Sequence, residues 1–172
     1  MHRRLARYTL TLLMLGLLSA CGFQLRGTGA DANPIPDEWK SMFLITGNPN
    51  GEFAREVQTR FAANGVQWTT REEANFRLHL GPERFSQRNL SLNAEARAAE
   101  FELTMSSQFS VSDAGGDVVM EKTQVTTIKQ MENDPRNVVG KAEEIRLLKA
   151  EMRAELAQQI MRRIGFFVSN NA

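Results

Sequence analysis

Apolar and polar residues alternate with a period of two in two stretches of the chain. Phe76, Leu78 and Leu80 alternate with Arg77 and His79, which predicts a half-buried strand with His79 on its solvent side. Phe101, Leu103, Met105, Phe109 and Val111 share one phase. Glu100, Glu102, Thr104, Ser106, Gln108, Ser110 and Ser112 occupy the other, so a long antiparallel-type strand with one wet face is expected. Asp113-Ala114-Gly115-Gly116 supplies a hairpin turn, and Asp117 to Lys129 returns as a second long strand of mixed phase. Met42 to Thr46 is a short apolar run that reads as a strand buried on both faces, and Val66 to Thr70 is another extended piece.

A period near four marks two helices. Phe53, Val57 and Phe61 line one face of residues 51 to 64. Asn48-Pro49-Asn50-Gly51 turns the chain into that helix, with Asn50 as a candidate cap, and Asn64-Gly65 ends it in the left-handed manner. Ile145, Leu148, Met152, Leu156, Ile160 and Ile164 make a stripe along residues 138 to 164. Asp134 or Asn137 caps its start, and Gly165 is expected to stop it before a short tail, 167–172. The strand, helix and strand at the start suggest one crossover with parallel neighbours. The predicted architecture is α+β: a two-layer sandwich in the order β-α-β-β-β-α, with a four-stranded mixed sheet covered on one face by two helices. A single domain is expected over 39–166.

The amino-terminal segment is of another kind. Arg3, Arg4 and Arg7 surround the start of an apolar run over residues 5 to 18, followed by Leu18-Ser19-Ala20-Cys21. A basic head, a short apolar run and small residues form a secretory signal peptide over 1–20. With a cysteine at the cleavage position, the block resembles the lipobox of bacterial lipoproteins. Cys21 is then the lipidation site. A diacylglycerol thioether plus an N-acyl chain meets the two-anchor requirement for stable membrane attachment. Residues 21–38, rich in glycine, proline and small polar residues, read as a tether. Within it, Phe23 and Leu25 could pack near the membrane, against a partner, or over an edge of the core.

Loss of the three leader arginines turns a formal charge of +1 into a slightly acidic mature chain, and nothing in the balance suggests nucleic acid. Cys21 is the only cysteine, so no intrachain disulfide can form. His79 would be the only histidine left after processing, and no ligand spacing supports a metal site or any cofactor. No nucleophile elbow, zinc-protease helix, phosphate loop or dinucleotide fingerprint occurs, which argues against an enzyme. Arg84, Arg88, Arg97, Lys122, Lys129 and Lys141 decorate the second half of the chain. They could meet phosphate through charge and directed hydrogen bonds, or form an ordinary solvated surface.

Several motifs in order carry a resemblance: Cys21-Gly22-Phe23-Gln24-Leu25-Arg26, Asn48-Pro49-Asn50-Gly51, Asn64-Gly65-Val66, Glu100-Phe101, Asn133-Asp134-Pro135 and Lys149-Ala150-Glu151-Met152. With the lipobox, they make the chain similar to the LPS-assembly lipoprotein LptE family over nearly its whole length. The resemblance implies a non-enzymatic lipoprotein, anchored to the periplasmic side of the outer membrane. It implies a plug inside the β-barrel translocon protein LptD that assists the barrel's assembly and binds lipopolysaccharide. It also implies that Lys141 matches a family lysine in glycolipid binding. The family's arginine before the glutamate–aromatic pair is displaced: Ala94 or Glu95 stands there, with Arg97 nearby. Lys141, Arg97 and Arg88 are therefore the candidate lipopolysaccharide-binding residues. A lipoprotein that only binds protein, as a structural plug, is the alternative.

Overall fold

The computed structural model describes residues 35–92, 98–133 and 138–171. A short 3-10 turn at Asp37–Trp39 leads into strand β1, Ser41–Thr46. Helix α1, Glu52–Ala63, follows, then strands β2, Gln67–Trp68, β3, Phe76–Leu80, β4, Arg84–Leu92, β5, Ala98–Asp113, and β6, Val118–Glu132. Helix α2, Val138–Asn171, ends the described chain.

All six strands lie in one curled sheet, so the expected four-stranded sandwich in β-α-β-β-β-α order is incorrect. Two strands account for the difference. β2 and the alternating stretch at 76–80 are separate strands, and both pair parallel with β1, one on each of its edges. The parallel crossover is as predicted, but it feeds two neighbours of β1. The other addition is β4, whose sequence RFSQRNLSL carries no apolar period. Its paired edge faces β5 and Ser86 to Leu90 are exposed, so burial imposes almost no pattern on it.

β5 joins the two halves of the sheet. β3 pairs with its Phe109–Asp113 end and β4 with its Ala98–Ser106 end, both antiparallel and both on the same edge. β6 takes the opposite edge over nearly the full length. Between β3 and β4 the chain bends at Gly81-Pro82-Glu83. There Gly81 N–H donates to the Gln108 carbonyl at 2.7 Å, and Ser107 Oγ donates to the Gly81 carbonyl at 3.0 Å. A Cβ at Gly81 would lie 2.9 Å from the Gln108 oxygen, so the bend requires glycine. The hairpin after β5 forms as predicted: Asp113 Oδ1 accepts from the Gly116 and Asp117 amides, and Gly116 takes a positive φ of 98°.

Both helices cover one face. Phe53, Val57 and Phe61 of α1 and Met152, Leu156, Ile160 and Ile164 of α2 are buried against Met42, Leu78, Leu103, Met105, Phe109 and Val111. Burial of each large side chain contributes about 1.5–3 kcal/mol. Gly65 closes α1 at φ 90°, as expected, but Gly51 rather than Asn50 precedes its first turn. β1 is buried on one face only: Met42 is in the core, while Phe43 and Ile45 are half-buried on the other side. α2 does not stop at Gly165. Val168 continues the four-residue stripe beyond Ile164, and Phe167 meets Trp39 edge-on at 6.3 Å. Tertiary burial there outweighs the weak helix preference of glycine.

Candidate functional site

Lys141 lies in the first turns of α2, above the helix-covered face of β5. Its Nζ is 4.2 Å from the centre of the Phe101 ring and donates to Asn133 Oδ1 at 2.7 Å. Among the described residues it makes no ion pair. Two turns further on, Lys149 Nζ stands 4.1 Å over the Phe85 ring of β4. An ammonium over an aromatic face is attracted by the ring quadrupole, yet keeps its hydrogens for an anion. Phe85 pairs with Met105 and Phe101 with Asn89, so both rings project from the same side of the β4–β5 ribbon.

Arg88 is one residue before Asn89 in β4 and so points to the opposite face. It lies directly across from Glu102 and binds it through Nε–Oε1 at 2.6 Å and Nη2–Oε2 at 3.0 Å. The hydrogen-bonded Arg88 guanidinium holds the Glu102 carboxyl below its ordinary value, and the same bond raises Arg88. Arg88 therefore meets any phosphate with a carboxylate already on its fork. Of the three expected glycolipid residues, Lys141 and Arg88 are placed on opposite faces, not together. Arg97 and the expected lipidation site Cys21 lie outside the described residues, as do Phe23, Leu25, Asp134 and Asn137.

The other basic positions divide by face. Lys129 is on the helix side, where it pairs with Glu151 at 2.8 Å and with Glu155, which also accepts from Thr127. This cluster fastens β6 to α2. Arg84 and Lys122 are exposed. Lys149 had a readable signal only in hindsight: it is eight residues from Lys141, hence on nearly the same side of the helix. His79 Nε2 lies 2.9 Å from Ser112 Oγ, and among the described residues no carboxylate orients the ring, so this pair lacks the third member of a catalytic triad. No group of three or more potential metal ligands occurs among the described residues.

The family model "LptE: Lipopolysaccharide-assembly" matches residues 39–164. The chain belongs to this family. The LPS-assembly lipoprotein LptE of Yersinia pestis (strain Pestoides F) is 29% identical over 166 residues, covering 92% of this chain and 76% of that protein. Rare lipoprotein B from Shewanella oneidensis has the same fold, with a TM-score of 0.65 and 24% identity over 75% of this chain and 96% of that one. Lipoprotein B from Nitrosomonas europaea gives a TM-score of 0.63 at 22% identity, over 86% and 93%. As an LptE-family member the chain is a non-catalytic lipoprotein of the lipopolysaccharide-assembly machinery, lipid-anchored at the outer membrane and facing the periplasm.

Proposed function

We propose that this lipoprotein seats as a plug in the β-barrel translocon protein LptD, assists that barrel's assembly, and contacts lipopolysaccharide as the glycolipid passes to the outer leaflet. The observation that carries the glycolipid part is Lys141: an ammonium without an ion pair among the described residues, held over Phe101 at the end of a helix-covered ribbon. Among the described residues no carboxylate has to be displaced for a phosphate to approach this position. Arg97 is retained as a second cation on the basis of the family resemblance. Arg88 is the weakest of the three, because Glu102 already neutralises it at hydrogen-bond distance.

Copurification from membranes tests the first part: the protein brings down one large β-barrel in equal amount. Lys141→Asp together with Arg97→Asp tests the second. Glycolipid binding falls, the barrel complex persists, and the loss shrinks at high salt if the contact is exposed. If no barrel copurifies, the plug reading fails. If the barrel remains and glycolipid binding is unchanged, the protein is a structural, protein-binding plug only.

A further inference from the structure

The face of the sheet turned away from the helices carries a second cluster of cations, on different strands. Arg77 and His79 are two residues apart on β3, so both project from this face about 7 Å apart along the strand. Across the sheet, one rung is Phe43, Arg77 and Ser112, and the next is Ile45, His79 and Ser110. Ser112 is buried, and its hydroxyl reaches diagonally to His79 Nε2 at 2.9 Å. The guanidinium of Arg77 reaches back with Nη2 to the Arg71 carbonyl at 3.4 Å, a long and weak bond. Its Nε is buried and has no hydrogen-bond partner among the described residues. A buried guanidinium N–H without an acceptor is costly, and the single long bond leaves the Nη end of the same fork able to meet an acceptor from outside the chain.

We propose that Arg71, Arg77, His79 and Ser112 form a binding site for a phosphate-type oxyanion on the helix-free face of the sheet. Two guanidiniums supply charge and forked donors, and the hydrogen-bonded His79–Ser112 pair supplies one further donor while the ring is neutral and two once it is protonated. Phe43 and Ile45 of β1 wall one side with half-buried apolar surface, which lowers the local dielectric and strengthens a charge-assisted bond. A phosphate, with up to two charges and several acceptor oxygens, matches this set better than a single carboxylate. The site shares no residue with the Lys141 position and does not depend on the plug reading.

Among the described residues, the charges that shift His79 are both positive. Burial depresses its pKa first, and then the Arg71 and Arg77 guanidiniums do. The neighbouring carboxylates are engaged elsewhere: Glu73 accepts from Thr70, and Asp113 holds the hairpin amides. On this side β1 sets Ser41, Phe43 and Ile45, the nearby part of β5 sets Gln108, Ser110 and Ser112, and β6 sets the exposed Val118 opposite Ser112 and the exposed Glu121 and Lys122 at the bulge opposite Ser110. An oxyanion between the guanidiniums reverses the field at the ring and raises its pKa.

The test is the titration of His79 in the full-length lipidated protein, held in non-ionic detergent and followed by imidazole NMR, with His79→Gln assigning the signal. Inorganic phosphate is added against sodium chloride of matched ionic strength. The expected result is a saturable upward shift of the His79 midpoint with phosphate and not with chloride. The shift is lost in Arg77→Gln, reduced in Arg71→Gln, and unchanged in Arg162→Gln, which alters an exposed cation on α2 at the other side of the sheet. Arg71 is exposed, so its variant keeps the test valid if Arg77→Gln fails to fold. Micelles doped with a lipid phosphomonoester give a second arm. A shift with both probes supports a general phosphate site, and a shift with the lipid alone supports a lipid-borne phosphate. No shift with either, or an equal shift with chloride, overturns the proposal.

Discussion

Arg153 of α2 grips Glu83, seventy residues away in the chain, through three hydrogen bonds: Nε to Oε2 at 2.7 Å, Nε to Oε1 at 3.1 Å and Nη2 to Oε1 at 2.9 Å. Its third nitrogen, Nη1, pairs with Glu52 at the start of α1 at 2.5 Å. One side chain, 15% exposed, thus ties the long helix to the first helix and to the bend between β3 and β4. Arg153→Met keeps the apolar stem and removes the fork. It is expected to cost about 1–3 kcal/mol in chemical denaturation, since hydrogen bonds to charged groups are lost and Glu83 stays half-buried. A double-mutant cycle with Glu83→Gln should return a clear coupling energy, whereas the same cycle on the exposed Glu143–Arg146 pair should return almost none. Zero coupling between Arg153 and Glu83 would show that the clamp contributes nothing.

The α2 stripe is not uniform. Leu156 is fully buried, while Leu148 is only partly so. Leu156→Ala is expected to cost about 2–5 kcal/mol, and Leu148→Ala clearly less. Urea midpoints at equal slope measure both. Equal costs would mean that the upper part of α2 packs more tightly than its exposure indicates.

His79 gives the stability a specific pH dependence. Its pKa in the folded chain is lowered from the ordinary 6.5, by burial and then by Arg71 and Arg77. The unfolded chain therefore takes up this proton first as pH falls. The contribution to stability is unaffected well above 6.5, is lost as pH falls through 6.5 toward the folded pKa, and is flat below it. Urea midpoints in phosphate-free buffer should thus converge between wild type and His79→Gln as pH drops from 7.5 to 5.5. Parallel curves across that range would contradict the assigned shift.

Cys21 is expected to carry the lipid. A clickable fatty acid should label wild type and leave Cys21→Ala unlabelled, and the variant should leave the outer-membrane fraction. Equal labelling of both would place the acyl chain elsewhere.

The core was legible from periodicity because burial writes it into the sequence. Phe53, Val57 and Phe61, the odd positions from Phe101 to Met105, and Met152 to Ile164 all face where their spacing puts them. β4 was not legible, since an exposed edge strand needs no apolar phase. The carboxyl-terminal extension of α2 was hidden by Gly165, whose propensity argues for a stop that Phe167 and Val168 overrule. For the site, charge alone could nominate Lys141 and Arg88 but could not tell that one is above Phe101 and the other beneath it with Glu102. That difference is a matter of strand parity and of which helix crosses the sheet. Arg77 was passed over because an alternating arginine reads as a wet-face residue, and only its buried Nε distinguishes it.

The position of β5 sets a schedule for folding. An exported chain emerges amino terminus first, so β1, α1, β2 and β3 arrive before the strand that links them to the rest. The β4–β5 and β5–β6 pairings join near neighbours in sequence and close quickly, whereas seating β3 on β5 requires a longer loop. Until Phe109 to Asp113 have left the export channel, the parallel half waits with β3 unsatisfied along one edge, and in that interval the nascent lipoprotein is open to edge-to-edge aggregation.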